Sequence, residues 1–331
     1  MTFHHPVLIG DIGGTNARFA LLPAPGAPMF MLPRVLTADH PDPEAAIRAI
    51  LQGTAAPPRS AVLAIAARVE GPVVRMTNAP WTIDAARVAA ALGLDRVTLV
   101  NDYVPVAVAL SALRPDSDDL IRVGRPLEGE PGPKVVLGPG TGLGAAALAP
   151  VGDRFLVLPT EAGHVEFGPA EADEAAFWDG LERVCGRVTA ETILSGPGLV
   201  RLHQAIVRAA GGAGGFDAPG DVCAAGLSGG DPQAAAALDR FARLLGRFAG
   251  DLGVIFGATG GVYIAGGIAP RILDVLQGGG FRAAFERKAP QDAFMRRVPT
   301  WVVLHPDPAL LGLSVLAEQD ERFTYPCATP R

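Results

Sequence analysis

The chain opens with two short apolar segments separated by a glycine turn. Residues 7–9 are apolar and β-prone, and residues 17–22 return to the same character after the turn. Because both segments are short, the pattern predicts a β-hairpin over residues 8–22 rather than a strand that leads into a helix. The same design of strand, glycine turn and strand recurs at residues 134–148. Two copies a domain's length apart suggest two related halves that face one ligand.

Elsewhere, apolar runs of strand length alternate with segments of helical spacing. The uninterrupted apolar run 61–67 predicts a strand covered on both faces, and residues 96–103 predict another strand. Residues 232–256 carry one broad apolar stripe and form the strongest helical pattern. The alternation predicts an α/β fold. Further strands are expected at 29–36, 154–158, the start of 260–270 and 302–304, and further helices from residue 42, at 83–92 with Thr82 as N-cap, at 104–113, 172–184, 197–209 and 309–317, and from Arg271.

Length and composition indicate a globular protein of two domains. The 331 residues are enough for two ordinary domains, and 49% hydrophobic against 19% charged residues excludes extended disorder. Between residues 114 and 119 the sequence changes from apolar to proline and acidic residues, as linkers do. We therefore expect a small domain of residues 1–113 plus about 306–331, to which the last helix returns, and a large domain of residues 114–305.

Charge and cysteine content argue against several functional classes. A net charge of −6 without a basic run argues against nucleic acid or an anionic membrane as the main partner. The uncharged segment 252–270 is nearly long enough to span a bilayer, but its six glycines would break a helix. The three cysteines are far apart and odd in number, which favours free thiols in a reducing compartment. Since no targeting segment is visible, we expect a cytoplasmic protein.

Each glycine turn is a candidate phosphate cradle. Glycine permits backbone angles and close approaches that a Cβ would forbid, and the N–H groups of such a turn can point together at an anion. Asp11 beside the first turn would repel a phosphate unless a divalent cation lay between them, and Mg²⁺ pairs carboxylates with substrate phosphates. The alternative is an ordinary glycine turn with a solvated Asp11. Neither turn contains the Gly-x-x-x-x-Gly-Lys-Ser/Thr nucleotide loop.

A third glycine-rich turn, with the pair Gly266-Gly267, follows the strand that begins near residue 260. Such a pair could let a flat base lie against the backbone. Tight packing between a helix and a strand is the alternative explanation.

The predicted strand 96–103 delivers Asn101 and Asp102 to its carboxyl end, where ligands of open α/β sheets bind. At that position Asp102 could accept a proton from a hydroxyl group as its oxygen attacks a phosphorus atom. The amide of Asn101 could hold the same ligand. Alternatively, both residues serve only to cap the helix that follows.

Polar residues cluster in the loop 159–169, which carries Glu161, His164 and Glu166. A metal site is one interpretation, because His and carboxylates are metal ligands, but no Cys or second His lies nearby. A sugar site fits better, since carboxylates accept hydrogen bonds from hydroxyl groups and imidazole can donate or accept them. A plain polar connection is the third interpretation. Glu191 is a further candidate acceptor for sugar hydroxyl groups.

Seven short motifs follow one another in a specific order between residue 8 and about residue 313. Together they make the chain resemble the bacterial glucokinase family of the Gram-negative type, within the actin/hexokinase/Hsp70 superfamily. The closely related repressor/kinase group usually carries a cysteine-rich zinc motif, which this sequence lacks. The motifs are Gly-Asp-Ile-Gly-Gly-Thr-Asn-Ala-Arg (10–18), Asn-Asp (101–102), Gly-Pro-Gly-Thr-Gly-Leu-Gly (138–144), Glu-Ala-Gly-His-Val-Glu-Phe (161–167), Leu-Ser-Gly-Pro-Gly-Leu (194–199), Gly-Gly-Val-Tyr-Ile-Ala-Gly-Gly-Ile (260–268) and Gly-Phe-Arg-Ala-Ala-Phe-Glu (280–286).

The resemblance implies a two-domain actin-like ATPase fold of the ribonuclease H-like type, with a cleft between the domains. It also implies phosphorylation of the 6-hydroxyl of D-glucose by ATP with Mg²⁺, usually in a homodimer. Asp102 would be the catalytic base, and Asp11 would hold Mg²⁺ directly or through water. The sugar would be bound by Asn101, Asp102, Glu161, His164 and Glu191, and the nucleotide by Gly10, Asp11, Ile12, Gly13, Gly14, Thr15, Gly140, Thr141, Gly142, Gly266 and Gly267.

Two other functions stay open at this point. A kinase for another hexose or an amino sugar would use the same acceptor residues, because many sugars share these hydroxyl groups, and the phosphoryl donor could be ADP or polyphosphate. A non-catalytic sugar-sensing regulator is the rival from another class. It is less favoured, because no helix-turn-helix precedes the first strand and the charge is acidic.

Overall fold

A computed structural model describes residues 3–54, 56–76, 79–125 and 130–329. Contacts between residues divide the chain into two compact units. The first unit comprises Met1–Leu113, Leu148–Pro159 and Pro306–Arg331, and the second comprises Arg114–Ala147 and Thr160–His305.

Strands and helices alternate along the chain, as the apolar pattern predicts. The strands are β1 (Val7–Ile12), β2 (Asn16–Leu22), β3 (Phe30–Met31), β4 (Val35–Leu36), β5 (Ser60–Ile65), β6 (Val73–Arg75), β7 (Thr82–Asp84), β8 (Arg96–Asn101), β9 (Leu120–Arg122), β10 (Lys134–Pro139), β11 (Leu143–Val151), β12 (Arg154–Thr160), β13 (Gly261–Ile264), β14 (Thr300–Val303) and β15 (Phe323–Thr324). The α-helices are α1 (Pro43–Leu51), α2 (Ala85–Leu92), α3 (Tyr103–Ala109), α4 (Ala175–Trp178), α5 (Ala190–Ile193), α6 (Gly196–Ala209), α7 (Pro219–Leu227), α8 (Pro232–Phe256), α9 (Leu273–Gln277), α10 (Gly280–Glu286), α11 (Asp292–Met295) and α12 (Pro308–Gln319). Short 3₁₀ turns occupy Thr37–Asp39, Ala162–His164, Ala269–Ile272 and Asp320–Arg322.

The first unit is built on a sheet of strand order β3-β2-β1-β5-β8, in which β4 also pairs with β2. The predicted hairpin is present, because β1 and β2 are antiparallel from Val7↔Leu22 to Ile12↔Ala17. Strands β1, β5 and β8 are parallel neighbours. All six residues of β5 are buried, as expected of a strand covered on both faces.

Residues 148–159 group with the first unit, whereas the expected large domain had included them. The chain changes units within β11, and β12 then pairs in parallel with β15 near the C-terminus, through Phe155↔Phe323 and Leu156↔Thr324. These hydrogen bonds join two segments that lie far apart in sequence. The apolar pattern along the chain therefore could not indicate the pairing.

The second unit contains strands in the order β11-β10-β13-β14-β9. Strands β10, β13 and β14 are parallel, and β9 runs antiparallel to β14. Helix α8 supplies much of the core, with Leu238, Phe241, Leu245 and Phe248 almost fully buried on one stripe. Asp231 caps its first turn by accepting a hydrogen bond from the Ala234 N–H, and Gly257 ends it in the left-handed conformation.

Three predicted helices have other boundaries in the structure. The helix expected at 104–113 ends at Ala109 in α3. Helix α2 begins at Ala85, and its N-cap is Asp84 rather than Thr82, because the Asp84 carboxylate accepts hydrogen bonds from Ala86 and Arg87 N–H while residues 82–84 form β7. The helix expected at 172–184 is reduced to α4. Just before α4, the buried Glu174 side chain accepts hydrogen bonds from the Ala170 and Glu171 N–H groups and from Arg247, which fixes an irregular loop.

Helix α7 lies in the glycine-rich segment 210–232, for which no element was predicted, and helix α10 was not predicted either. No helix in the described ranges is both long and apolar enough to cross a membrane. All three cysteines are free thiols, as expected.

Arg282 on α10 is a buried cation that ties together the end of the second unit. Its guanidinium donates hydrogen bonds to the carbonyl oxygens of Val298 (2.7 Å), Met295 (3.1 Å) and Arg296 (3.2 Å) and pairs with Glu286 (2.7 Å). Burial lowers the pKa of Arg282, and the pairing with Glu286 opposes that change. Because several acceptors share one donor group, its removal would leave them unpaired in the interior.

We therefore expect Arg282→Ala to lower the free energy of unfolding by about 3–5 kcal/mol, as loss of one member of a buried ion pair does. The matched control is Arg243→Ala, which removes an exposed pair with Asp239 on α8. The control should cost about 0.5 kcal/mol or less. Urea unfolding followed by circular dichroism measures both, and equal losses would contradict a structural role for the buried guanidinium.

Candidate active site

The carboxyl ends of three parallel strands in the first unit bring the first glycine turn and Asp102 to one edge of the sheet. Ile12 at the end of β1 pairs with Ile65 at the end of β5, and Ile65 pairs with Asn101 at the end of β8. The turn begins immediately after Ile12, and Asp102 follows Asn101. Strands two positions apart are separated by about 10 Å. This edge is where open α/β sheets bind ligands.

The first glycine turn is held by its neighbours while part of its backbone stays available. Gly13 N–H donates to Asn16 O at 2.9 Å, and Thr37 binds the carbonyl oxygens of Gly14 and Thr15 through its hydroxyl (2.7 Å) and its N–H (3.1 Å). Within the described ranges, the N–H groups of Gly14 and Thr15 donate to no protein acceptor. These two N–H groups are therefore suited to an anion.

Two of the predicted nucleotide contacts have little exposed surface. Gly10 lies within β1 and Ile12 is its last residue, and both are buried. A Cβ at Gly10 would lie 2.7 Å from the ring of Phe19 and 2.9 Å from Leu63, so this glycine is needed for packing between neighbouring strands. Because neither residue reaches the surface, the accessible part of this segment is the turn Gly13–Thr15.

Asp11 forms an ion pair with Arg18 across the hairpin. The two residues are register partners of β1 and β2, and Arg18 Nη2 lies 2.6 Å from Asp11 Oδ2. The other terminal nitrogen of Arg18 bonds to Asp307, which precedes α12. Burial raises the pKa of the Asp11 carboxyl, and Arg18 opposes the rise. Burial alone would lower the pKa of Arg18, but the carboxylates of Asp11 and Asp307 raise it. Asp11, Arg18 and Asp307 thus form a half-buried cluster with a formal net charge of −1.

Asn101 orients Asp102 rather than leaving its amide for a ligand. Its Nδ2 donates to Ala67 O at 3.2 Å and to Asp102 Oδ1 at 2.9 Å, and its Oδ1 accepts the Tyr103 N–H at 2.9 Å. The side chain of Asn101 therefore caps the start of α3, and the Asp102 side chain makes no capping bond. Asp102 is half-buried at the sheet edge. The capping explanation thus applies to Asn101 and not to Asp102.

The second glycine turn lies at the end of β10 in the second unit. Gly140 N–H donates to Gly142 O at 2.8 Å, and Gly140 O accepts the N–H of Gly196 at the start of α6 at 2.7 Å. Thr141 is exposed, as Thr15 is in the first turn. Across the described ranges, the Thr141 and Gly142 N–H groups have no protein acceptor.

The pair Gly266-Gly267 follows β13, the strand next to β10, and so lies beside the second turn. Gly266 is in the left-handed conformation with φ of 81°. A Cβ there would come within 2.5 Å of Pro139 O, the residue just before Gly140. Both glycines are exposed. Gly266 is therefore required by close packing of this turn on the end of β10, not by packing between a helix and a strand, and the exposed backbone of Gly267 stays available for a base.

The loop with Glu161 and His164 is joined to the segment that leads into Glu191. Ala190 N–H donates to Val165 O at 3.1 Å, and Phe167 N–H donates to Val188 O at 3.1 Å. Glu161 and His164 are exposed, and His164 Nε2 lies 3.7 Å from Glu161 Oε2. The three predicted sugar residues of the second unit are thus brought together by a short antiparallel ladder.

The metal interpretation of this loop is not supported. Glu166 pairs with Arg187, with Nε at 3.2 Å from Oε1. In the part of the chain that is described, no group of three or more His, Cys, Asp or Glu side chains is arranged to hold a metal ion. In the first unit, Arg18 binds Asp11 through Oδ2, so Oδ1 is the less engaged oxygen for a cation. A single carboxylate fits Mg²⁺ that is held mainly by substrate phosphates.

Three residues near Asp11 and Asp102 were missed by sequence reasoning. Arg18 could have been found by counting the hairpin register back from the turn, which places it opposite Asp11. The sequence around Asp307 does not indicate this contact, because Asp307 and Arg18 lie 289 positions apart and meet only in the folded chain. Tyr103 is the third: burial raises the pKa of its phenol, and the charges of Asp102 and Asp11 raise it further.

Comparison with known proteins finds relatives along nearly the whole chain. The profile of the glucokinase family matches residues 8–320. A glucokinase of Brucella suis biovar 1 is 44% identical over 323 residues, which cover 97% of this chain and 94% of that protein. The crystal structure of a glucokinase from an Antarctic psychrotroph superposes with a TM-score of 0.84 at 29% identity and covers 95% of this chain and 99% of its own.

A glucokinase from Balamuthia mandrillaris, crystallised in complex with glucose, has the same fold, with a TM-score of 0.79 at 24% identity, covering 94% of this chain and 93% of its own. The fold is therefore the α/β fold of these sugar kinases, as expected. With the family profile matched over nearly all of its length and a relative at 44% identity, the chain belongs to the glucokinase family.

Proposed function

We propose that this chain transfers the γ-phosphoryl group of ATP to the 6-hydroxyl of D-glucose, with Asp102 as the catalytic base. The observation that carries the proposal is the register of β1, β5 and β8, which places Asp102 at the same sheet edge as the first glycine turn. Phosphoryl transfer asks mainly for positioning and for stabilisation of charge. Membership of the glucokinase family supports the choice of sugar and donor.

Asp102 would accept the proton of the sugar hydroxyl as its oxygen attacks the phosphorus atom. The hydrogen bond from Asn101 Nδ2, which is itself anchored on Ala67 O, holds the carboxylate in one orientation. A fixed carboxylate loses little conformational freedom when substrate binds. Asn101 then contributes mainly by positioning the base, and any contact of its own with the sugar would use the remaining lone pair of Oδ1.

The backbone N–H groups at Gly14, Thr15, Thr141 and Gly142 would bind phosphate oxygens, since none of them is used by the protein in the described ranges. Asp11 would hold Mg²⁺ directly or through water, and the ion would neutralise charge on the phosphates. The Arg18 pairing keeps the Asp11 carboxylate at a fixed position. Gly267 offers exposed backbone for the adenine base.

In the second unit, Glu161, His164 and Glu191 would bind sugar hydroxyl groups. Glu161 and His164 are exposed on the same short turn, and Glu191 is half-buried on the neighbouring segment. Carboxylates accept from hydroxyl groups, while imidazole can do either. The family resemblance further favours a cytoplasmic homodimer, and analytical ultracentrifugation would test its assembly.

The role of Asp102 predicts a separation of binding from turnover. We expect Asp102→Ala to lower kcat by a factor of about 10²–10⁴, the usual contribution of a general base, with glucose affinity largely retained. A coupled assay measures kcat, and calorimetry measures the dissociation constant for glucose. Asp116→Ala is the control, since this exposed carboxylate pairs only with Arg114 in the described ranges. Near-normal turnover in Asp102→Ala would show that Asp102 is not the catalytic base.

The role of Asp11 predicts a selective effect on the nucleotide. Asp11→Asn should raise KM for Mg·ATP about tenfold or more, as loss of one charged hydrogen-bonding partner does, with glucose affinity almost unchanged. Asp307→Asn removes the other carboxylate of Arg18 and leaves Asp11 in place, so its effect on KM should be smaller. If Asp11→Asn weakened both substrates equally, a general loss of structure would explain the result instead.

A further inference from the structure

The second glycine turn and the proposed sugar residues meet at Leu143, the first residue of β11. Its N–H donates to Glu191 Oε2 at 2.8 Å. On the carbonyl side, Gly163 packs so closely that a Cβ would lie 2.2 Å from Leu143 O. Gly163 stands between the sugar candidates Glu161 and His164. The backbone of Leu143 is thus held on one side by Glu191 and on the other by the turn that presents the other sugar residues.

The two oxygens of Glu191 have different surroundings. Oε2 is engaged with Leu143 N–H, whereas Oε1 accepts no hydrogen bond from any residue in the described ranges. The fit of Oε2 against the turn depends on Gly142, since a Cβ there would lie 2.5 Å from this oxygen. A carboxylate can accept several hydrogen bonds at once. Oε1 therefore stays available for a hydroxyl group while Oε2 stays bonded to the turn.

We propose that Glu191 is a positioning residue that serves both substrates, holding the phosphate turn through Leu143 N–H with one oxygen and binding the sugar with the other. This inference rests on the proposed function, because it needs glucose at Glu191 and phosphate at the turn. A sugar hydroxyl on Oε1 restricts the rotation of the carboxylate and so strengthens its hold on Leu143. An ordered turn likewise presents Oε1 to the sugar in one orientation.

Coupling between two binding sites is reciprocal in free energy. A change in the phosphate turn that displaces the Glu191 carboxylate must therefore weaken glucose binding, even when no nucleotide is present. Gly142→Ala is such a change, because the added Cβ would meet only the movable end of the Glu191 side chain. Gly140→Ala is the matched control in the same turn, because a Cβ there meets nothing closer than Gly142 O at 4.0 Å.

The test is calorimetric titration of glucose into each protein without nucleotide. Gly142→Ala should raise the dissociation constant for glucose about tenfold, the order expected for a charged hydrogen bond, and Gly140→Ala should leave it within about twofold. An unchanged dissociation constant in Gly142→Ala would overturn the inference, as would an equal loss in Gly140→Ala. If the unmodified protein failed to bind glucose, the proposed function would fall instead.

The effect of the sugar site on nucleotide binding is tested by comparing variants of two carboxylates. Glu191→Ala should weaken binding of a non-hydrolysable ATP analogue with Mg²⁺, measured without sugar, by about fivefold or more. Glu161→Ala removes a sugar-side carboxylate that makes no contact with the turn in the described ranges, and it should leave analogue affinity within about twofold. Thermal unfolding of each variant verifies that it is folded. Equal analogue affinity for Glu191→Ala and the unmodified protein would refute the dual role.

Discussion

The hydrogen bonding between β1, β5 and β8 is the constraint on which the chemistry of the first unit depends. Parallel strands in register must end at the same edge, so the end of β1 and the end of β8 are held about 10 Å apart whatever their side chains are. The glycine turn and Asp102 begin where the strands stop. Because most residues of these strands are buried on both faces, a shift of register would disrupt close packing on both sides of the sheet, which keeps the spacing fixed.

Around this edge, hydrogen bonds and ion pairs hold the polar side chains in defined orientations. Asn101 uses its amide to cap α3 and to bind Asp102, so the same group that starts a helix also orients a carboxylate. Arg18 connects Asp11 with Asp307 from the last helix segment. Such groups lose their hydration on burial, and each is tolerated because its partners replace the lost hydrogen bonds.

In the second unit, backbone contacts link the proposed binding elements. The second glycine turn is bonded to the start of α6 through Gly196 and to α5 through Glu191. The Glu161–His164 turn packs on Leu143 with no space for a side chain at Gly163. Elements that touch this closely cannot move independently, because packed interiors transmit small displacements. A shared junction is therefore a physical route by which one ligand affects the site of the other.

Elements with local signals could be predicted from the amino-acid pattern alone. The first hairpin, the buried strand β5, the helices α6 and α8, and the glycine turns all follow from apolar periodicity, glycine placement and capping residues. Candidate residues such as Asp102 and Glu191 were also identified, because their chemistry and motif order are visible along the chain. The reach of residues 148–159 into the first unit was not visible, because it depends on pairing with β15 about 170 positions away, as in Phe155↔Phe323.

The folded chain, in contrast, was needed to see which atoms of the candidate residues are engaged. It buried Gly10 and Ile12, gave Asp11 its partners Arg18 and Asp307, and assigned the helix cap to Asn101. It also showed that Glu191 Oε2 accepts the Leu143 N–H, whereas Oε1 accepts no hydrogen bond within the described ranges. The type of each residue and the local spacing of apolar positions can be read directly from the sequence. Burial and hydrogen-bond partners cannot, because they depend on segments that are distant in sequence and meet only in the folded chain.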